Sequence, residues 1–172
     1  QRLHPHSNRF QAKDPAPHSS GPVKTQQISQ WKQRGWQPNN NKPLIVMAHF
    51  DPSNRLRPDL LNLLESYAKF GDVVLVSASP GLRWHWRTMR RLKQSCRGIL
   101  IRRNEGYDFG SWMAALHWLK KDLKHIHQLI LTNDSFWGPI TPLDDLFEQI
   151  KSSDADIICL TDDQMYAPHL QS

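Results

Sequence analysis

Residues 44–50 read LIVMAHF, an apolar run of strand length with one polar side chain. A strand of that composition has no face to offer water. It must be covered on both sides, which points to the middle of a parallel sheet flanked by helices. The pattern that follows is consistent with this. Residues 58–70 (PDLLNLLESYAKF) set Leu60, Leu61, Leu64, Tyr67 and Ala68 at helical spacing, and Gly71 follows as a stop signal. Strands are then expected at 73–77, 98–101, 128–132 and 156–160, alternating with helices at about 84–94, 111–121 and 143–151. Ser111 or the loop before it would cap the third helix. Such alternation implies right-handed crossovers and an α/β fold with a mainly parallel sheet.

Before Pro43 the character differs. Residues 1–42 are rich in Gln, Asn, Pro, Ser and His and show no apolar period, so they read as a disordered basic linker or tail. Trp31 and Trp36 are exceptions, able to dock on the folded part or to form a short helix. This segment holds seven basic residues and one acid, whereas 43–172 hold 15 of each. The domain is therefore neutral and the net charge of +6 belongs to the tail. That distribution argues against a dedicated nucleic-acid binder. Cys96 and Cys159 lack partners at zinc-site spacing and read as ordinary thiols. With no bilayer-length apolar run and no secretory signal at the start, a soluble protein of a reducing, cytoplasmic compartment is expected.

In open sheets of this kind ligands gather beyond the carboxyl ends of the strands, which directs attention to two loops. The first, RRNEGYDFGSW, brings Asn104, Gly106, Tyr107, Asp108 and Gly110 to the start of a helix. Two readings stand. Its glycines and helix amino end could cradle a nucleotide, with Asp108 accepting from a sugar or base; or it is a tight turn with Asp108 as a cap and its aromatics in the core. The second loop, LTNDSFWGP, closes a strand with Asn133, Asp134 and Ser135. A carboxylate there could hold a divalent ion that bridges a diphosphate. The alternative is a turn whose Asn and Asp bond their own backbone. The strand ending His49-Phe50-Asp51 would touch base or ribose, or His49 would be a satisfied core residue. Thr161, Asp162 and Asp163 could cap the same cleft or form a solvated turn.

Residues 83–103 carry eight basic side chains and no acid, interleaved with Trp84 and Trp86. They fit a surface for phosphates or anionic lipid head groups, or a solvated helix face. Neither GxGxxG nor GxxxxGK[ST] occurs, and no Ser-His-Asp or Cys-His set can be assembled. A methyltransferase would want a glycine loop after the first strand, where there is none.

NEGYDFGSW and LTNDSFWGP, taken with HFD and the late LTDD, resemble the rhamnan synthesis F family of bacterial polysaccharide glycosyltransferases over about 43–172. That resemblance implies a GT-A-like (Rossmann-like) nucleotide-sugar domain at the inner face of the plasma membrane. It implies dTDP-rhamnose as donor, a glycan acceptor, and Mg²⁺ or Mn²⁺ held at Asp134. Asn133-Asp134-Ser135 is similar to the acidic metal motif of such enzymes but offers one carboxylate where two are usual. His49, Asp51, Asn104, Gly106, Tyr107, Asp108, Gly110, Asn133, Asp134 and Ser135 would line the donor. The resemblance also implies an acceptor half and a catalytic base beyond Ser172. The second expectation is a non-catalytic module of the same fold that binds glycan or protein.

Overall fold

The computed structural model describes residues 26–38, 41–163 and 169–171. Four strands of its sheet are parallel: β2 (Leu44–His49), β3 (Asp72–Ser77), β4 (Gly98–Arg102) and β5 (Leu129–Asn133). A fifth strand, β1 (Gln27–Lys32), lies antiparallel along β4, giving the order β1-β4-β3-β2-β5. Every residue of β2, β3 and β4 is buried, as expected of strands covered on both faces.

Side chains alternate across the sheet and build two cores. Ile45, Met47, Val73, Leu75, Ile99 and Ile101 face α1 (Pro58–Phe70) and α2 (Trp86–Ser95), joined by Phe147 of α4 (Asp144–Ser152). Leu44, Val46, Ala48, Val74, Val76 and Leu100 face α3 (Tyr107–Trp118) through Trp112, Ala114 and Ala115. This follows from right-handed crossovers. The chain steps from β2 to β3 to β4 in one direction with its helices on one face. It then crosses back through α3 on the other face to place β5 beside β2.

α1 has the expected bounds. Pro58 opens it, Asp59 lies in its first turn, and Leu60, Leu61, Leu63, Leu64 and Tyr67 are buried. Gly71 ends it for a reason of space rather than of torsion. Its φ is −150°, but a Cβ there would come within 2.7 Å of the Pro43 carbonyl oxygen.

Three expectations need correction. Part of the supposed tail, residues 27–38, belongs to the sheet domain; residues 1–25, expected to be disordered, lie outside the described residues. β1 is an edge strand of Gln, Ser and Lys with Trp31 turned to the core, so its apolar content is low. Trp36 follows, its indole Nε1 donating to Asp72 Oδ2 at 2.8 Å, and Lys32 pairs with Asp122 at 2.8 Å. Next, α2 begins at Trp86 after a 3₁₀ turn, Pro80–Trp84, and α3 begins at Tyr107 rather than Ser111. Finally, 156–160 is not a strand; a small antiparallel pair, β6 (Thr161–Asp163) with β7 (His169–Gln171), follows instead. β5 is thus an edge, with Leu129 and Leu131 partly exposed rather than buried.

Candidate functional site at the carboxyl ends of β2 and β5

β2 has β3 on one side and β5 on the other: the chain leaves β2 toward β3 and β4 and then returns through α3 to β5, so the strand order reverses between β2 and β5. The crevice outside the carboxyl ends of β2 and β5 is the topological switch point, where such sheets hold their ligands. The register pairs Ala48 with Asn133, so the residues that leave the two strands, His49-Phe50 and Asp134, meet there. The Phe50 amide donates to Asp134 Oδ2 at 3.2 Å, and His49 Nε2 lies 3.9 Å from the same oxygen.

His49 is buried and its Nδ1 lies 2.9 Å from Ser77 Oγ, at the end of β3. Burial pushes its pKa below the ordinary imidazole value, while Asp134 and Asp51 oppose that shift. The ring is therefore a neutral buried group beside a carboxylate. Asp51 turns its own loop: its Oδ1 accepts from the amides of Ser53 (2.6 Å) and Arg55 (3.4 Å). The Asp51 amide donates to Ser79 Oγ at 2.7 Å, and the Ser79 hydroxyl donates to the Asp51 carbonyl at 2.9 Å.

The first of the two loops opens α3. Gly106, with φ +71°, is the residue before the helix, and Tyr107 shares the left-handed region at φ +49°. A non-glycine residue there is strained, and Tyr107 is 81% exposed, so packing does not account for it. Gly110 lies inside the first turns because a Cβ would run into the Glu105 carbonyl oxygen. Beneath it the buried Arg102 donates from Nη2 to that same oxygen at 2.6 Å and from Nη1 to Ser111 Oγ at 3.2 Å. Ser111 is therefore a buried acceptor for Arg102 and not a cap. Asp108 does not cap its helix with a side-chain hydrogen bond either; its Oδ2 accepts from Asn133 Nδ2 at 2.9 Å.

That bond joins the two loops. Asn133 also accepts from the Ser135 amide at 3.2 Å, and Trp112 Nε1 donates to the Thr132 carbonyl at 2.9 Å. His49, Asp108, Asn133, Asp134 and Ser135 are thus linked at the carboxyl ends of β2 and β5, while the Asp51 carboxylate binds its own loop beside them. Gly106, Tyr107 and Gly110 lie at the start of α3, and Asn104 is exposed and makes no side-chain hydrogen bond among the described residues. The side chains of Thr161, Asp162 and Asp163 lie outside what the structure describes.

Arg57, Ser77 and Ser79 were not singled out from the sequence. Arg57 Nη2 donates to the carbonyls of Asp134 (3.1 Å) and Phe136 (3.3 Å), and its guanidinium lies 5.1 Å from the centre of the Trp137 ring. It clamps the second loop to the start of α1. Its only sequence signal is its place before Pro58, which holds it extended.

The donor set fits one kind of metal better than another. Among the described residues no three His, Cys, Asp or Glu side chains converge where they could hold a metal ion by themselves. Asp134 engages the protein through Oδ2 alone, leaving Oδ1 for a hard cation that takes its other ligands from phosphate and water. Beyond this crevice, a groove of about 640 Å³ runs along the outer edge of β5, between Leu131, Phe109 and Ile158. No helix of the described residues is long and apolar enough to cross a membrane.

Rhamnan synthesis protein F is the family whose sequence pattern matches this chain, over residues 73–172. A protein of Sinorhizobium fredii (strain NBRC 101917 / NGR234) named "Uncharacterized protein y4gN" is 33% identical over 115 residues, 67% of this chain and 29% of that protein. The chain thus spans less than a third of the relative's length. No solved structure matches. The family match takes in both loops and more than half of the chain, and the chain belongs to the rhamnan synthesis protein F family.

Proposed function

We propose that this chain is the donor-binding portion of a glycosyltransferase that uses a nucleotide sugar, dTDP-rhamnose, in the synthesis of cell-surface polysaccharide. The observation that carries the reading is the Asn133–Asp108 hydrogen bond, which ties the two loops together at the switch point, with Asp134 beside it. The family supports a role in rhamnan synthesis. The GT-A-like reading rests on an acidic residue that closes β5, the edge strand beside the buried β2, in a mainly parallel sheet.

In this account Asp134 would hold Mg²⁺ or Mn²⁺ through Oδ1, and the ion would supply positive charge against the donor diphosphate. Three carboxylates, Asp51, Asp108 and Asp134, would otherwise repel that anion. Asp51 keeps its Oδ1 on the amides of its own loop, and Asp108 keeps one oxygen on Asn133. Its second oxygen accepts from a hydroxyl of the sugar or from the base. Buried His49 stays neutral, so it neither competes with the cation for Asp134 nor adds a charge of its own. Arg57 holds the second loop at the height at which Asp134 meets the donor. The acceptor is a glycan, and the reaction takes place at the cytoplasmic face of the membrane.

Calorimetric titration of the folded protein with dTDP-rhamnose in Mn²⁺ tests the reading. Asp134→Asn should weaken binding by about 10- to 100-fold, the worth of one charged contact. Failure of every sugar nucleotide to bind, or equal affinity in the variant, would sink it. A second reading, a glycan- or protein-binding module without catalysis, draws on the exposure of Tyr107, Phe109 and Trp137 around the crevice. It predicts oligosaccharide or protein binding that needs neither nucleotide nor metal.

A further inference from the structure

We propose that the surface formed by the 3₁₀ turn before α2 and the first turns of α2 docks on an anionic lipid bilayer. Trp84 is 73% exposed and Trp86 64%, although the segment that bears them is firmly seated. Leu82 and Leu92 are fully buried on either side, and Met89 packs against the same core. Two large indoles are therefore held out in water by a well-anchored support.

The charges around them are of one sign. No acid occurs between Asp72 and Glu105 in sequence. Arg91 is engaged by Glu65 and Arg97 by Asp72, but Arg83, Arg87 and Arg90 have no acidic partner among the described residues. Instead the Arg83 guanidinium lies 4.6 Å from the Trp84 ring centre and that of Arg87 lies 5.2 Å from Trp86. Indoles prefer the boundary between head groups and hydrocarbon, and arginines beside them meet lipid phosphates. Outside 83–103, residues 43–172 carry 7 basic and 15 acidic side chains, a net charge of −8, so the positive charge of the domain is concentrated in the segment that bears this aromatic surface, which fits a planar anionic partner. A polyanion that tracks a long basic groove fits it less well.

The surface also has a defined relation to the crevice. The 3₁₀ turn follows the carboxyl end of β3, and its Gly81 amide donates to Asn54 Oδ1 at 2.7 Å, in the loop that leaves β2. Lipid contact by Trp84 and Trp86 would therefore hold the molecule with the rim of its crevice near the membrane plane. The inference does not depend on what that crevice binds.

Cosedimentation of the full chain with phosphatidylcholine vesicles, with and without phosphatidylglycerol, is the test. Binding should require the anionic lipid and fall as salt is raised. Arg87→Ala with Arg90→Ala should weaken it by roughly 25-fold, about fivefold for each arginine near the surface. Trp84→Ala with Trp86→Ala should abolish the blue shift of tryptophan fluorescence on vesicle addition. Both pairs are exposed, and far-ultraviolet circular dichroism of each variant verifies the fold. The proposal is overturned if wild type stays in the supernatant with anionic vesicles, or if neither pair alters binding. It is equally overturned if a single-stranded oligonucleotide is bound more tightly than the vesicles through these residues.

Discussion

Gly110 offers a direct check on how the first loop is built. A Cβ there would overlap the Glu105 carbonyl oxygen and lie 3.1 Å from Arg102 Nη2. The clash is with backbone, which cannot swing aside as a flexible side chain can. Glu105 O also accepts the 2.6 Å bond from Arg102, whose side chain is fully buried, so relief of the clash breaks that bond. Overpacking costs about 1–3 kcal/mol. Loss of a hydrogen bond to a buried charged group costs another 1.5–3 kcal/mol or so. Because movement exchanges part of one cost for the other, Gly110→Ala should lose about 3–4 kcal/mol, a large share of the roughly 5–15 kcal/mol that holds a domain folded. In urea, where a small domain loses about 1–3 kcal/mol per molar, the unfolding midpoint followed by circular dichroism should fall by roughly 2 M. Gly35→Ala is the control: its φ is +75°, but nothing lies within 4 Å of the added Cβ. It should cost only the left-handed penalty of about 1–2 kcal/mol. A Gly110→Ala midpoint no lower than that of Gly35→Ala would refute the reasoning.

Other consequences follow from single groups. His49 has a pKa below its ordinary value of 6.5, so below that pH the unfolded chain binds a proton that the folded one resists. Its contribution to stability is complete above pH 6.5 and is lost as pH falls toward the lowered value; urea midpoints of wild type and His49→Gln should converge on acidification, and parallel curves would refute this. Burial pushes the Cys96 thiol up to about 12, so the native protein should give one reactive thiol, Cys159, at pH 8, and two when denatured. Trp36→Phe removes the donor to the nearly buried Asp72 and should cost about 1–3 kcal/mol in thermal or urea unfolding. No change would mean that Trp36 is not needed to tie β1 to the domain.

The parts of this fold legible in the sequence are those that local pattern decides. Residues 44–49 cannot be other than a covered strand, and the leucines of 58–70 leave a helix little freedom. What depends on a distant neighbour was not legible. β1 owes its existence to the edge of β4, with one tryptophan to mark it. The apolar run 156–160 looked like a strand, but a strand exists only by pairing, and no apolar pattern states which edge is available. The site divides the same way. The place of Asn133 and Asp134 at the end of a strand was legible, because the alternation of strands and helices alone locates strand ends. The glycines of the first loop were also visible: Gly110 leaves room for the Glu105 carbonyl oxygen, and Gly106 takes the left-handed conformation that opens α3. Ser77 behind His49, and Arg57 under the second loop, depend on which strands lie side by side, and composition gave no sign of them.

The central claim is that the two loops hold a sugar nucleotide as one site. Backbone amide chemical shifts recorded as dTDP-rhamnose and Mg²⁺ are added test it most directly. The account predicts shifts concentrated at Phe50, Asp108, Asn133 and Asp134, lost in Asp134→Asn, with the pocket around Trp36, Asp72 and Arg97 at the opposite ends of the strands unaffected. A spectrum that does not change, or changes confined to that opposite pocket, would contradict it.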